Sequence, residues 1–182
     1  IKEVWFNSGK IISRYLGDGN IKFAETPIVD SGGKISAREG INLERRLEPL
    51  DCWYKDLIKE GYTRELNGAR IEVFSPYDDI LKKIEANWEI EVDKQKKIKA
   101  IGTDHQLAID KLVKKRFIED KSPQNASSIA FLLEYNDKKV LMLGDAYPSK
   151  IAAYLKKYLF NYFLQKLKID LIKLSHHGSK GN

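Results

Sequence analysis

Between Ser127 and Leu174 the chain packs five element signals into fewer than fifty residues, and their order leaves few topologies open. Ser127 to Tyr135 (Ser-Ser-Ile-Ala-Phe-Leu-Leu-Glu-Tyr) is an apolar strand, and Asn136-Asp137 is a two-residue turn of the kind hairpins use. Lys138 to Leu143 is the returning strand. It is apolar at nearly every position, which predicts that both its faces are covered. Pro148 opens an amphipathic helix to about Leu167, with Ile151, Tyr154, Leu155, Tyr158, Leu159 and Tyr162 along one stripe. A last strand runs from Ile169 to Leu174. A strand, a crossover helix and a second strand normally form a right-handed unit with parallel strands. Both strand C-termini then leave the sheet at the same edge. The fold class expected is α/β (α+β).

The rest of the chain is less legible. A short strand is expected over 2–7 and is ended by Asn7-Ser8-Gly9; a short helix follows over 10–16, and Gly17-Asp18-Gly19-Asn20 is a turn. After a mixed stretch with a loop at 30–33, Ser36 and Glu39 have capping-box spacing before a helix over 37–48 that Pro49 ends. Residues 50–68 give a weak signal. Arg70-Ile71-Glu72-Val73-Phe74 alternates cleanly into Ser75-Pro76, a strand running into a turn. Ile80, Leu81, Ile84 and Trp88 predict a helix over 77–90. Residues 94–121 carry nine basic side chains against four acidic ones, nearly all of the chain's net charge of +6. That stretch reads either as a solvated helix face with a linker, or as a surface for phosphate backbones. No aromatic side chain interleaves the lysines before Phe117, so base stacking gains no support there.

Composition closes several classes. Nine Tyr, seven Phe and three Trp in 182 residues are enough to bury, unlike a disordered chain. The single Cys52 excludes an internal disulfide framework and a Cys-rich zinc module, and beside Trp53 it reads as a packed residue. No stretch approaches the roughly 20 apolar residues of a membrane span. The start, Ile1-Lys2-Glu3-Val4-Trp5-Phe6, is not a secretory signal. A cytoplasmic location is the expectation.

Chemistry concentrates at two strand ends. Gly144-Asp145 stands where strand 138–143 stops, and His176-His177-Gly178-Ser179 stands where strand 169–174 stops. Asp and His are ligands of choice for zinc and similar divalent ions, and loops beyond strand ends hold such groups at fixed separation. Each has a plainer reading. Asp145 also suits an N-cap or first-turn acid of the helix that Pro148 opens. His176 and His177 also suit ordinary loop positions, and His105 reads as solvated or structural.

Asn125-Ala126-Ser127-Ser128-Ile129, the strand and hairpin, Leu143-Gly144-Asp145-Ala146, the helix, the strand and His176-His177-Gly178-Ser179 together resemble the second half of the metallo-β-lactamase fold. More narrowly, the pattern is similar to the branch that includes the hydrolase domain of the bacterial DNA-uptake competence protein. The close match covers residues 123–182. The resemblance implies a partial αββα sandwich with a metal site at one edge. In it, Asp145 matches the bridging aspartate, and one of His176 and His177 matches the last histidine ligand while its neighbour faces the substrate. Asp145 and His177 are the catalytic candidates. Asn125, Ser179 and Lys180 are candidates for substrate binding. Two Zn²⁺ ions are implied in the intact enzyme, with Mn²⁺ as the alternative. The ions would bring a bound water's pKa to about 7. The superfamily's His-x-His-x-Asp-His motif is absent from a chain with three histidines in other arrangements.

The chain starts at Ile1 with its only methionine at Met142, and ends inside a loop. It is therefore read as a single metallo-β-lactamase-like domain over 1–182, truncated, with a basic helical insertion at about 77–121. Two functions follow from different classes. One is a metal-dependent hydrolase acting on phosphodiesters of nucleic acids or nucleotides, inactive as this fragment alone. The other is a non-catalytic basic module that binds nucleic acid or protein. A His-x-His-x-Asp-His segment encoded upstream of Ile1 would decide for the first. Unpaired sheet edges in such a fragment predict a two-fold homodimer.

Overall fold

A computed structural model describes residues 2–17, 37–93, 108, 110–111, 119 and 122–175, with side chains described outside 37–38 and 86–93. The chain has mixed helices and strands built around a five-stranded sheet. In chain order the elements are β1 (Val4–Trp5), α1 (Gly9–Leu16), α2 (Ala37–Leu47), β2 (Trp53–Tyr54), β3 (Thr63–Leu66), β4 (Ala69–Ser75), α3 (Asp78–Asp93), α4 (Pro123–Ala126), β5 (Ala130–Tyr135), β6 (Lys138–Met142), α5 (Pro148–Asn161) and β7 (Leu171–Lys173). The loop expected at 30–33, the cap at Ser36, His105 and most of the lysine-rich stretch lie outside the described residues.

The sheet order is β3-β4-β5-β6-β7. Its first four strands are antiparallel, and β6 and β7 are parallel, with Val140 opposite Leu171 and Met142 opposite Lys173. The β5–β6 hairpin turns on Asn136 and Asp137, with φ of 47° and 59°, left-handed values that Asn and Asp tolerate. The β3–β4 hairpin turns on Asn67-Gly68, with φ of 49° and 80°. It lies at the edge of the stretch whose sequence signal is weak, yet Asn-Gly is a strong local hairpin cue.

Helix α5 covers one face of the sheet. Phe74, Ala130, Leu132, Leu141, Ala146, Ile151, Tyr154 and Tyr158 form the main core, with the Phe74 and Tyr154 rings stacked at 4.4 Å. The helix ends at Asn161, short of the expected Leu167: Tyr162 turns its N–H onto Tyr158, and Phe163 takes a positive φ of 52°. Leu141 is the only buried residue of β6, and β7 is exposed throughout. The expectation that strand 138–143 is covered on both faces is thus corrected, since Lys138 is exposed and Lys139, Val140 and Met142 are only half-buried.

The N-terminal elements make a second centre. Ser8 caps α1 by accepting the Ile11 N–H at 3.3 Å, and Gly17 closes it with φ 85°. The strand expected over 2–7 shrinks to two residues, paired in parallel with Trp53–Tyr54. Asn7 stitches this part to the Ile58 backbone, accepting from its N–H at 2.9 Å and donating to its carbonyl at 2.5 Å. Ile11, Leu47 and Trp53 pack together, as do Ile12, Leu81 and Ile84.

Candidate functional site

Gly144 turns the chain out of β6. Its φ is +54°, and a Cβ placed there would lie 2.9 Å from the Cβ of Ser128. Such a distance excludes any larger residue without displacement, so glycine is required both by conformation and by the close approach. The turn presents Asp145, which is half-buried. The N-cap position of α5 is Tyr147, whose side chain makes no cap hydrogen bond, so Asp145 stands two residues ahead of the N-cap. Glu119 supplies negative charge at this helix end, accepting from the Ser149 N–H at 2.7 Å and from its hydroxyl at 3.0 Å.

The second strand end comes to the same place. Because β7 runs parallel to β6, its C-terminus leaves the sheet beside the Gly144-Asp145 turn. The Leu143 N–H donates to the Lys173 carbonyl at 3.4 Å. Beyond it, the buried Ser175 donates its hydroxyl to the Ala146 carbonyl at 3.2 Å. Ser175 is the last described residue, so His176, His177, Ser179 and Lys180 lie outside the described residues.

Asn125 sits in α4, half-buried, and its carbonyl accepts the Ser128 N–H at 3.0 Å. Ser128 is the residue that lies against Gly144. The structure therefore brings together the strand end before Asp145, the residue ahead of His176, and the turn that carries Asn125. Among the described residues, no group of three or more His, Cys, Asp or Glu side chains is placed to hold a metal ion. Nor, among them, is any helix long and apolar enough to cross a membrane. Cys52 is a free, half-buried thiol whose carbonyl accepts the Val4 N–H at 2.7 Å.

A buried ionic cluster escaped the sequence reading. Glu72 is 6% exposed. It accepts from the Tyr154 hydroxyl at 3.0 Å, the Tyr162 hydroxyl at 3.1 Å and the Arg70 guanidinium at 2.6 Å. Arg70 also pairs with Glu134 at 2.9 Å, and Lys139 pairs with Glu134. Burial, then the Glu72 carboxylate, pushes the Tyr154 phenol far above its ordinary pKa. Alternation in β4 puts Arg70, Glu72 and Phe74 on one face. The two charges hid the fact that this face lies under a helix. The signal that reveals it is the pair of tyrosines eight residues apart, Tyr154 on α5 and Tyr162 at its C-cap.

Asp170 fastens the start of β7. It accepts from the Lys139 N–H at 3.0 Å and the Lys138 ammonium at 3.1 Å, while its own N–H donates to the Lys139 carbonyl at 2.9 Å. The Lys139 N–H, then the Lys138 ammonium, lower its pKa. No protein-family model, curated protein or solved structure matches this chain significantly.

Proposed function

We propose that this chain carries the second half of a metal-dependent hydrolase site of the metallo-β-lactamase kind, within an αββα sandwich, acting on phosphodiesters of nucleic acids or nucleotides. The supporting observation is the parallel pairing of β6 and β7. It sends Asp145 and the segment entering His176-His177 off the same edge of the sheet.

The donor types fit Zn²⁺ or Mn²⁺, since carboxylate oxygen and imidazole nitrogen suit both. Asp145 and one or both histidines would hold the ions. A bound ion supplies Lewis acidity and an acidified water. The chain's own share is positional. The left-handed Gly144 sets the direction in which Asp145 leaves the strand, and its carboxylate offers two acceptor oxygens for a metal pair and for orienting a water. Ser179 and Lys180 offer a hydroxyl and a positive charge to an anionic group, and Asn125 offers an amide near the same turn. The net charge of +6 supports a polyanionic substrate. A cytoplasmic setting accords with the single free cysteine.

Cobalt titration tests the reading, with phosphodiesterase assays on bis(4-nitrophenyl) phosphate. The chain alone offers at most three ligands, where tight zinc sites use three or four. It should bind cobalt weakly or not at all and give no turnover, and any measurable binding should weaken further in Asp145→Asn or His177→Ala. Supplied with an upstream His-x-His-x-Asp-His segment, it should bind tightly and hydrolyse the ester. Cobalt binding that is indifferent to Asp145→Asn would sink the proposal.

A further inference from the structure

One row of paired residues crosses β4, β5, β6 and β7: Arg70 opposite Glu134, Glu134 opposite Lys139, and Lys139 hydrogen-bonded through its backbone to Asp170. Beyond that row lie the β3–β4 turn at Asn67-Gly68, the β5–β6 turn at Asn136-Asp137 and the link from α5 to β7. The Tyr162 hydroxyl accepts from Arg70 at 2.5 Å, which brings the end of α5 to the same place. The two turns lie close together, since a Cβ on Gly68 would stand 3.9 Å from the Tyr135 ring. Hence Leu66, Tyr135, Phe160, Phe163, Leu164 and Leu171, all exposed, share one end of the sheet. The Gly144-Asp145 turn leaves β6 at the opposite end.

We propose that this end of the sheet docks on an anionic lipid bilayer. Phe160 and Phe163 enter the boundary between headgroups and acyl chains, and Lys156, Lys166 and Lys168 meet the anionic headgroups. The inference is independent of the hydrolase reading.

Charge favours this partner. Residues 151–169 hold four lysines and no acid. Lys157 pairs with Glu60, which leaves Lys156, Lys166 and Lys168 exposed on the stretch that carries both phenylalanines. Arg70 pairs with Glu65, Glu72 and Glu134, and Lys138 pairs with Asp170. Among the described residues, Asp137 is the acid of this end left without an ion pair, against those three lysines. Lysines set beside protruding apolar side chains are what an anionic bilayer surface attracts. A second copy docked about a two-fold axis would instead bring the same lysines of both copies together. Shape agrees. Phe163 is 95% exposed at a φ of 52°, so it projects from a turn rather than lining a groove. Acyl chains accept such a side chain without a matching surface. Leu66, Leu164 and Leu171 offer hydrocarbon contact but no ring on which a nucleic-acid base would stack.

The test is flotation of the full chain at low protein concentration, with vesicles of phosphatidylcholine alone or of phosphatidylcholine with phosphatidylserine. The parent chain should float with the phosphatidylserine vesicles, less so at high salt. Phe160→Ser with Phe163→Ser should weaken that binding about tenfold. Lys156→Gln with Lys166→Gln and Lys168→Gln should weaken it about a hundredfold. Both variants should keep the parent's thermal melt, because all five side chains are exposed. Positive charge elsewhere on a chain of net +6 draws anionic vesicles without specificity, so binding left unchanged by the phenylalanine variant would overturn the inference. Equal binding to both kinds of vesicle would overturn it too. So would a parent chain, monomeric or self-associated, that stays off phosphatidylserine vesicles, or one that binds a single-stranded oligonucleotide through these residues and no vesicle.

Discussion

At Gly144 two independent demands meet in one residue, a φ of +54° and 2.9 Å between a would-be Cβ and Ser128. Gly144→Ala should therefore destabilise the chain by about 1–3 kcal/mol, read as a lower urea midpoint with unchanged m-value. Glu72 makes a second residue-scale prediction. Glu72→Ala leaves Arg70 with its Glu134 partner but strips the buried acceptor from Tyr154 and opens a void, and should cost about 2–3 kcal/mol. Tyr154→Phe removes a single bond while Glu72 keeps Arg70 and Tyr162, and should cost about 1–2 kcal/mol. Equal effects from the two variants in denaturant melts would show that Glu72 is not the centre of the cluster. Asp145 was legible as a candidate because Gly-Asp follows an apolar run. Glu72 was not, since a charged residue on an alternating strand has the same signature whether its face meets water or a helix.

The pairing of β7 with β6 leans on Asp170, which is clamped by one backbone N–H and one ammonium. Its pKa is depressed in the folded chain, so the carboxylate is the favoured form there. The stabilisation is complete above the ordinary Asp value of about 3.9 and is lost as pH falls through the lower folded value. Amide exchange in β7 should accelerate through that acid window ahead of β5. Asp170→Asn should show faster β7 exchange already at neutral pH and a flatter acid profile. An acid profile of β7 exchange that matches the parent's would rule Asp170 out as the clamp. The elements themselves were largely readable: the hairpin turn at Asn136-Asp137, the start of α5 at Pro148 and the strand after it all appear where local chemistry puts them. Lengths were less readable. α5 stops at Asn161, while apolar residues continue through Phe163, Leu164 and Leu167.

On the scale of the molecule, apolar surface gathers around β7 and the end of α5. Phe160 is 80% exposed, Phe163 95%, Leu171 60%, Ile172 50% and Leu174 60%. Leu141 is buried under α5, yet its register partner Ile172, one strand over, lies half in water, so the helix stops short of the edge strand. Among the described residues β7 ends the sheet, and a sheet edge next to apolar side chains favours association. The chain should scatter light as a dimer or larger species at high concentration and bind a hydrophobic dye. Phe163→Lys together with Ile172→Lys should shift it toward monomer and reduce dye binding. A monodisperse parent chain without dye binding would mean that this surface is covered in solution.

What the sequence determined by itself is local. Backbone conformations at Asn-Asp and Asn-Gly turns, the proline-led start of α5 and the apolar runs of β5 and β6 depend on residues within a few positions of one another. From these follows the β6–α5–β7 unit that sends Asp145 and Ser175 off one edge. Tertiary structure decided the rest. It paired Val4–Trp5 with Trp53–Tyr54, placed Arg70 and Glu72 under α5, seated Ser128 on Gly144 and brought Ser175 to Ala146. Each of these joins groups far apart in sequence. Their partners are set by which surfaces close on each other and which buried polar groups then need satisfying, and no local pattern encodes that.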